Sequence, residues 1–185
     1  MKILITGNSG SGKTWLAKRI APQESTLIHL DTIFWKPGGF DEKRKRIEIE
    51  ELIAQSLQNK HWVAEGVFGD LVNRYVPEAS ELIWLDMPWE LCRKRLEQRG
   101  SESKKHMSRI QSTEGLKKLI EWAQQYYTRT NLRSKLGHQQ IFKSFKGVKV
   151  HLKSEEETNN YINKLHNQPF QQTAKCRCCG TQRYV

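Results

Sequence analysis

Residues 1–20 read MKILITGNSGSGKTWLAKRI, and they are the strongest indication of the fold in this sequence. It opens with a short apolar run, ILI at 3–5, which ends at Thr6. A helical pattern of apolar residues begins directly after Lys13. The Gly- and Ser-rich residues between these two patterns therefore join a short buried strand to a helix.

The connecting residues, GNSGSGKT at 7–14, match G-x-x-x-x-G-K-[ST], the phosphate-binding loop or P-loop. Glycines let the backbone N–H groups of such a loop surround phosphate oxygens, and the helix N-terminus adds a positive dipole end. Lys13 is expected to reach the β- and γ-phosphates of a nucleotide, and the Thr14 hydroxyl to bind Mg²⁺. The alternative, a Gly-rich turn without a ligand, is disfavoured by the strand–loop–helix context. The predicted nucleotide-binding residues here are Gly7, Asn8, Ser9, Gly10, Ser11, Gly12, Lys13 and Thr14.

Strand-like and helix-like patterns alternate along the rest of the chain. Strands are predicted at 2–6, 26–31, 61–66, 81–86 and 147–152. Helices are predicted at 14–20, 41–60, 89–100, 113–136 and 154–165, with a polar loop at 101–112. Strands separated by helices form a parallel sheet with right-handed crossovers. The sequence therefore predicts a three-layer α/β domain.

Size and composition are those of one ordinary domain. The chain has 185 residues, of which 37% are hydrophobic and 28% charged. It contains no apolar run of about 18 residues that would span a bilayer, and its first apolar run is too short for a signal peptide. We therefore expect a cytoplasmic protein without a membrane partner.

The net charge of +11 is unevenly distributed. Residues 87–153 contain sixteen Lys and Arg and only five Glu, so this segment carries a charge equal to that of the whole chain. A segment rich in cations indicates anionic partners, such as nucleotide phosphates or nucleic acid. A solvated basic surface is the alternative explanation for many of these residues.

Four stretches resemble the P-loop nucleoside and small-molecule kinases of the adenylate, shikimate and gluconate kinase type. They are GNSGSGKT, HLDTIFWKPG at 29–38, the segment from VAEGVFGD to CRKRL at 63–96, and VKVHLKSEEETNNYINKL at 148–165. More closely, the sequence resembles the adenylate kinase-related proteins labelled "topology modulation", a label that does not describe a chemical reaction. The resemblance implies a five-stranded parallel sheet in the order 2-3-1-4-5. It also implies a kinase domain at 1–166, with a lid at about 100–133 and a tail at 167–185.

Asp31 ends the predicted second strand. Ligands of open α/β sheets bind beyond the carboxyl ends of the strands, so Asp31 is expected on the same edge as the P-loop. The resemblance implies that its carboxylate faces the phosphoryl acceptor, where it orients or deprotonates a hydroxyl. A turn cap is the alternative role for an Asp in this position. Phe34 and Trp35 are assigned either to the acceptor pocket or to the core.

Two acidic residues compete for the metal side of the site. Glu65 and Gly66 end the third strand, where the related kinases have Asp-Gly followed by Asn and an aromatic residue. The resemblance assigns both residues to the acceptor side and gives Glu65 a role in ordering a water on Mg²⁺, so Thr14 and Glu65 are the predicted metal residues. The Asn is missing, because Val67 follows Gly66. Asp86 ends a Walker B-like stretch, LIWLD, and is the second choice.

Five arginines are expected around the ligands. By the resemblance, Arg74 faces an anionic group of the acceptor and Arg95 stacks on the adenine of ATP. Arg99, Arg129 and Arg133 converge on the transferring phosphoryl group, whose charge must be met by fixed cations. A solvated surface position is the alternative for each of them. With these arginines, the predicted catalytic residues are Lys13, Asp31, Arg99, Arg129 and Arg133.

The tail contains CRCCG at 176–180. A structural zinc site takes four ligands in separated pairs, so three crowded thiols favour reactive cysteines over a metal site. With Cys92 as the remaining cysteine, the pattern is unlike the disulfide framework of a secreted protein.

The sequence favours an ATP- and Mg²⁺-dependent phosphotransferase acting on a nucleotide or another small acceptor. The alternative is a nucleotide-dependent nucleic-acid-binding protein, motivated by the basic segment, although no helix-turn-helix, zinc-finger or aromatic-platform pattern accompanies it. A P-loop ATPase or GTPase switch ranks last, because the chain lacks an N-K-x-D stretch for guanine. The positions of the arginines distinguish these functions, because arginines that face the P-loop favour phosphoryl transfer.

Overall fold

The computed structural model describes residues 1–37, 42–99 and 113–167. Five parallel strands form one sheet in the order β2-β3-β1-β4-β5, which confirms the predicted architecture. The strands are β1 (Lys2–Gly7), β2 (Thr26–His29), β3 (Trp62–Gly66), β4 (Glu81–Leu85) and β5 (Val148–Leu152). The helices are α1 (Lys13–Ile20), α2 (Leu30–Phe34), α3 (Arg46–Leu57), α4 (Gly69–Tyr75), α5 (Trp89–Arg99), α6 (Thr113–Gln124), α7 (Lys135–Ser144) and α8 (Glu155–Asn167), with a short 3₁₀ helix at Gln125–Tyr127.

Helices cover both faces of the sheet. Successive side chains of a strand point to opposite faces, so each strand contributes to the packing on both sides. On β1, Ile3 and Ile5 pack with α1, α5 and α8. Leu4, between them, packs on the opposite face with α2, α3, α4 and α7. The result is a helix–sheet–helix sandwich with two apolar clusters.

The strand register places the carboxyl ends of four strands next to one another. Ile5 of β1 lies beside Glu65 of β3, and Glu65 lies beside His29 of β2. On the other side of β1, Gly7 lies beside Leu85 of β4. The residues that follow these four strand ends therefore meet around the P-loop.

Two predicted boundaries are wrong near the second strand. β2 ends at His29 and α2 begins at Leu30, so Asp31 lies in the first turn of a short helix and not at a strand end. The third helix begins at Arg46 instead of 41. The residues just before it are extended, because Lys43 forms an antiparallel bridge with Trp35.

The single helix predicted at 113–136 is also wrong. α6 ends at Gln124, a 3₁₀ turn follows, and α7 begins only at Lys135. Ser134 caps α7, since its hydroxyl accepts a hydrogen bond from the backbone N–H of Gly137 at 3.0 Å. Helix α4 and most of α7 were not predicted. The predicted polar loop at 101–112 and the CRCCG sequence lie outside the described residues.

Within the described residues, no helix combines the length and the apolar character needed to cross a bilayer.

Candidate functional site

The P-loop has the backbone shape that its sequence requires. Gly10 and Gly12 have φ angles of 78° and 97°, in the left-handed region that favours glycine. A Cβ on Gly10 would lie 2.4 Å from the carbonyl oxygen of Cys92. Helix α5 therefore packs directly against the outer side of the loop, and only glycine permits this approach.

Lys13 is buried at the start of α1, with 8% of its surface exposed. Its Nζ donates a hydrogen bond to the backbone oxygen of Asn8 at 2.8 Å. Burial lowers the pKa of its ammonium, while the carboxylates of Glu65 and Asp31 act in the opposite direction. The ammonium thus lies inside the loop, among the groups that the sequence assigns to phosphate binding.

Thr14, Glu65 and His29 form a hydrogen-bonded cluster next to Lys13. The Thr14 hydroxyl donates to Oε1 of Glu65 at 2.8 Å, and Nδ1 of His29 lies 2.7 Å from the same oxygen. An ionised carboxylate only accepts hydrogen bonds, so His29 carries its hydrogen on Nδ1.

This cluster keeps Glu65 ionised although its residue is only 6% exposed. Burial by itself raises the pKa of Glu65, but the hydrogen bond from His29 and the charge of Lys13 outweigh it and hold that pKa below its usual value. The same hydrogen bond raises the pKa of His29. A fixed negative charge therefore lies beside the Thr14 hydroxyl.

Asp31 reaches the same region from the first turn of α2. Burial, followed by the charge of Glu65, raises the pKa of Asp31 to about 6. The cations Lys13 and Arg99 partly oppose this shift. A carboxyl group with such a pKa can exchange a proton near neutral pH, as a general base must.

Asp86 makes different contacts. Its Oδ1 lies 2.9 Å from Nζ of Lys135 and its Oδ2 lies 3.2 Å from Nε2 of His151. Of the two acids weighed from the sequence, Glu65 is the one that contacts Thr14.

Aromatic side chains and Arg133 lie together on the α2 side of the sheet. The rings of Phe34 and Phe68 stack with their centroids 4.3 Å apart, and Trp35 meets Phe34 edge-on at 4.8 Å. The Arg133 guanidinium lies over both stacked rings, 4.8 Å and 4.7 Å from their centroids. It also donates two hydrogen bonds to Asp70, at 3.0 Å and 2.8 Å. Phe34 belongs to the core, whereas Trp35 is half-buried at its margin.

Arg129 lies close to Arg133. Its guanidinium stacks 4.1 Å from the centroid of the Trp122 ring, and it donates a hydrogen bond to the backbone oxygen of Arg133 at 3.0 Å. Its Nε is buried and has no hydrogen-bond partner among the described residues. Arg99, at the exposed end of α5, acts on Lys13 and Asp31 through its charge.

Arg95 and Arg74 are already paired within the protein. Arg95 donates to the backbone oxygens of Gly10 and Ser11, at 3.4 Å and 2.9 Å, and also contacts Glu155 at 2.6 Å. Arg74 pairs with Glu50 at the surface, where α3 and α4 meet.

Gly66 has a clear packing role. A Cβ at this position would lie 2.6 Å from the Cβ of Leu30, so glycine lets α2 pack closely on the end of β3.

Three residues of this region were missed from the sequence: His29, Asp70 and His138. His29 could have been found from the predicted strand order. That order makes the second and third strands neighbours, so His29 and Glu65, near the ends of these strands, lie side by side. Asp70 and His138 lie on α4 and α7. No local pattern connects them to their partners.

The described residues include no group of three or more His, Cys, Asp or Glu arranged to hold a metal ion. A P-loop magnesium does not need such a group, because Mg²⁺ takes one or two protein ligands together with phosphate oxygens and water.

Comparison with known sequences identifies the family. The family described as an AAA domain (AAA_18) matches residues 3–115, which is more than half of the chain. The chain belongs to this AAA domain family. No curated protein matches the sequence of this AAA-domain chain.

Solved structures that are similar to this chain include kinases. A shikimate kinase from Bacteroides thetaiotaomicron superimposes with a TM-score of 0.50 at 14% identity, covering 90% of this chain and 96% of that chain. A gluconokinase from Sinorhizobium meliloti 1021 gives a TM-score of 0.47 at 12% identity, covering 89% and 88%. The first of these, with the strand order, shows the three-layer P-loop kinase fold.

Proposed function

We propose that the protein is an ATP-dependent phosphotransferase that transfers the γ-phosphoryl group to a nucleotide or another small-molecule acceptor. The observation that carries this proposal is the contact between Thr14 and the buried, ionised Glu65 beside Lys13. Asp31 lies in the first turn of α2, which follows the strand next to β3, and the charges of Glu65 and Lys13 both act on its carboxyl group. This arrangement supports a nucleotide side at Lys13 and Thr14 and an adjacent acceptor side at Asp31.

The nucleotide side fits magnesium and ATP. Bound Mg²⁺–ATP would supply the transferable phosphoryl group and the cation that neutralises its charge. The Thr14 hydroxyl gives its hydrogen to Glu65, so its lone pairs are free to bind the metal, and ionised Glu65 would hold a metal-bound water. Lys13 and the amides of residues 7–14 would bind the phosphates, with Arg95 at the adenine.

On the acceptor side, Asp31 would accept the proton of an acceptor hydroxyl or orient it. We assign further residues to acceptor binding together with Asp31. They are Phe34, Trp35, Glu65, Gly66 and Arg74. Trp35 is the member of this group at the margin of the core, which supports a contact with ligand.

The arginines would stabilise the charge that spreads over the transferring phosphoryl oxygens. Arg129 supports this role because its buried Nε lacks a partner in the described part of the chain, so an anionic oxygen would satisfy it. Arg133 would leave Asp70 or bind through its remaining nitrogen, and Arg99 would approach from the end of α5.

We also propose a place for the chain among P-loop kinases. Membership of the adenylate kinase-related "topology modulation" group rests on the resemblance of residues 1–165, as do the kinase domain at 1–166 and the lid at about 100–133. A cytoplasmic location is part of the same proposal. The contacts of Arg95 with the P-loop and of Arg133 with Asp70 support phosphoryl transfer over nucleic-acid binding, which needs outward-facing cations.

Calorimetry and a transfer assay test the proposed function. We expect Mg²⁺–ATP to bind the wild-type protein, and Lys13→Met to weaken binding at least about 100-fold, because it removes a buried cation beside the phosphates. Lys18→Met on the exposed side of the same helix is the matched control and should bind normally. ADP formation with a panel of nucleotides, nucleosides and sugars then identifies the acceptor. Folded protein that takes up no ATP or GTP with magnesium present would refute the proposal.

A further inference from the structure

His138 has no role in the proposed chemistry, yet it is fully buried, with 0% of its surface exposed. It lies in the first turn of α7 and joins several elements through hydrogen bonds. Its Nδ1 is 2.9 Å from the hydroxyl of Tyr126, and its Nε2 is 3.0 Å from the backbone oxygen of Val67. The hydroxyl of Thr6, directly before the P-loop, lies 3.2 Å from the same Nε2.

The partners determine which nitrogen of His138 carries the hydrogen. A backbone oxygen only accepts, so Nε2 donates to Val67. In the neutral ring, Nδ1 is then an acceptor and receives the hydrogen of the Tyr126 hydroxyl. The hydroxyl oxygen of Tyr126 in turn accepts from Nε1 of Trp84 at 3.3 Å. Every member of this buried chain therefore has a consistent donor or acceptor role.

Burial lowers the pKa of His138 to about 3. The ring therefore stays neutral across the physiological range, and its hydrogen bonds do not change with pH there.

The hydrogen bonds of His138 lie at the base of the connection between the 3₁₀ helix and α7. Tyr126 precedes the connection 128–134 and His138 follows it, so their hydrogen bond closes that connection at its base. The connection carries Arg129 and Arg133. Through Thr6 and Val67, His138 also fixes this closed loop to the ends of β1 and β3, where Lys13 and Glu65 are placed.

Two more hydrogen bonds hold the same region from the other side. The side-chain amide of Asn8 donates to the backbone oxygen of Ala123 at 2.9 Å, and the Tyr127 hydroxyl donates to that of Met87 at 2.9 Å. These bonds join the P-loop to α6, and Tyr127, the residue before the connection, to Met87 beyond the end of β4.

We propose that His138 is a positioning residue that fixes the connection 128–134, and with it Arg129 and Arg133, relative to the P-loop. Cations held in place before the reaction stabilise charge without reorganising during it, and small displacements cost much of that benefit. The inference rests on the proposed function, because that function requires the two arginines to stabilise charge on the transferring phosphoryl group. A purely structural core histidine would stabilise α7 without affecting the arginines.

Hydrogen exchange tests the positional part without any ligand. The amides of Arg133 and Ser134 donate to Asn131 within the connection, and those of Thr128 and Arg129 donate to Gln125 just before it, so all four report its order. We expect His138→Phe to speed their exchange at least about tenfold, because local opening becomes easier when these contacts are lost. The matched control, Ile141→Ala, removes a buried side chain one turn later on α7 and should lower the melting temperature without this local effect. Unchanged exchange at 128–134 in His138→Phe would overturn the inference.

Kinetics tests the functional part. We expect His138→Phe to lower kcat for ATP turnover at least about tenfold and to leave the KM for ATP within about twofold, whereas Ile141→Ala changes neither. His138→Gln retains a donor and an acceptor and should recover part of both losses. If His138→Phe does not fold, Tyr126→Phe removes one hydroxyl and should give the same pattern more weakly. Faster exchange at 128–134 with an unchanged kcat would overturn the positioning role of His138. A wild-type protein without ATP turnover would instead refute the proposed function, and the exchange result would then still decide whether His138 orders the connection.

Discussion

We expect the replacement of Asp31 with asparagine to raise the stability of the protein and to lower its proposed activity. Burial raises the pKa of Asp31 from 3.8 to about 6. Between these values the folded state holds a proton that the unfolded state has lost, so stability falls as the pH rises through this window. Above it, the ionised carboxylate costs about 3 kcal/mol relative to a neutral side chain of the same size, because each pKa unit corresponds to about 1.4 kcal/mol.

An asparagine amide in place of this carboxyl group is neutral at every pH and avoids the cost. We therefore expect Asp31→Asn to raise the free energy of unfolding by about 3 kcal/mol near pH 8 and by only about 0.5 kcal/mol near pH 4. Urea denaturation at both pH values, with EDTA present, measures the difference. The same variant should lose at least about 100-fold in kcat if Asp31 is the general base.

Asp70→Asn is the matched control with the opposite sign. The pKa of Asp70 is lowered, because its hydrogen bonds and charge pairing with Arg133 outweigh the effect of burial. Its stabilising effect is present at neutral pH and is lost as the pH falls through the lowered pKa, so Asp70→Asn should destabilise the protein near pH 8. A stability gain for Asp31→Asn that is equal near pH 4 and pH 8 would show that ionisation of Asp31 does not cause it.

Two further substitutions probe the metal side of the site and the packing beneath it. Glu65→Gln removes the charge beside Thr14 but keeps the shape, so we expect the Mg²⁺ dependence of ATP binding to shift about 10- to 100-fold towards higher metal concentration in calorimetric titrations. An unchanged Mg²⁺ dependence would exclude Glu65 from the metal side. Gly66→Ala places a Cβ 2.6 Å from that of Leu30, and should lower the free energy of unfolding in urea by about 1–3 kcal/mol. A variant as stable as the wild type would show that α2 can move away from β3 at little cost.

Much of the fold was predictable because it depends on local patterns. The apolar run before Thr6 and the helical pattern after Lys13 specify β1 and α1, and the motif between them specifies the P-loop. The strand order came from the resemblance and is confirmed. The helices at 113–144 were predicted poorly, because the second helix begins only at Lys135, after the Ser134 cap, and the apolar pattern does not show the break after Gln124.

The candidate site was only half predictable. The sequence placed Lys13, Thr14, Asp31 and Glu65 at one edge, because strand ends of a parallel sheet converge there. It did not predict that Asp31 lies on a helix. It also did not predict the contact partners of the arginines, since these depend on which surfaces the helices present to each other.

Local sequence is enough to specify a P-loop between the first strand and the first helix, and an acidic residue, Glu65, near the end of the third strand. Three sets of contacts depend instead on how the chain folds: His29 with Glu65, Arg133 with Asp70, and His138 with both Tyr126 and Val67. Most of these partners are far apart along the chain. A motif is specified by neighbouring residues, whereas the contacts of His29, Arg133 and His138 with Glu65, Asp70 and Val67 join residues 36, 63 and 71 positions apart. Strand register and helix packing bring these residues together.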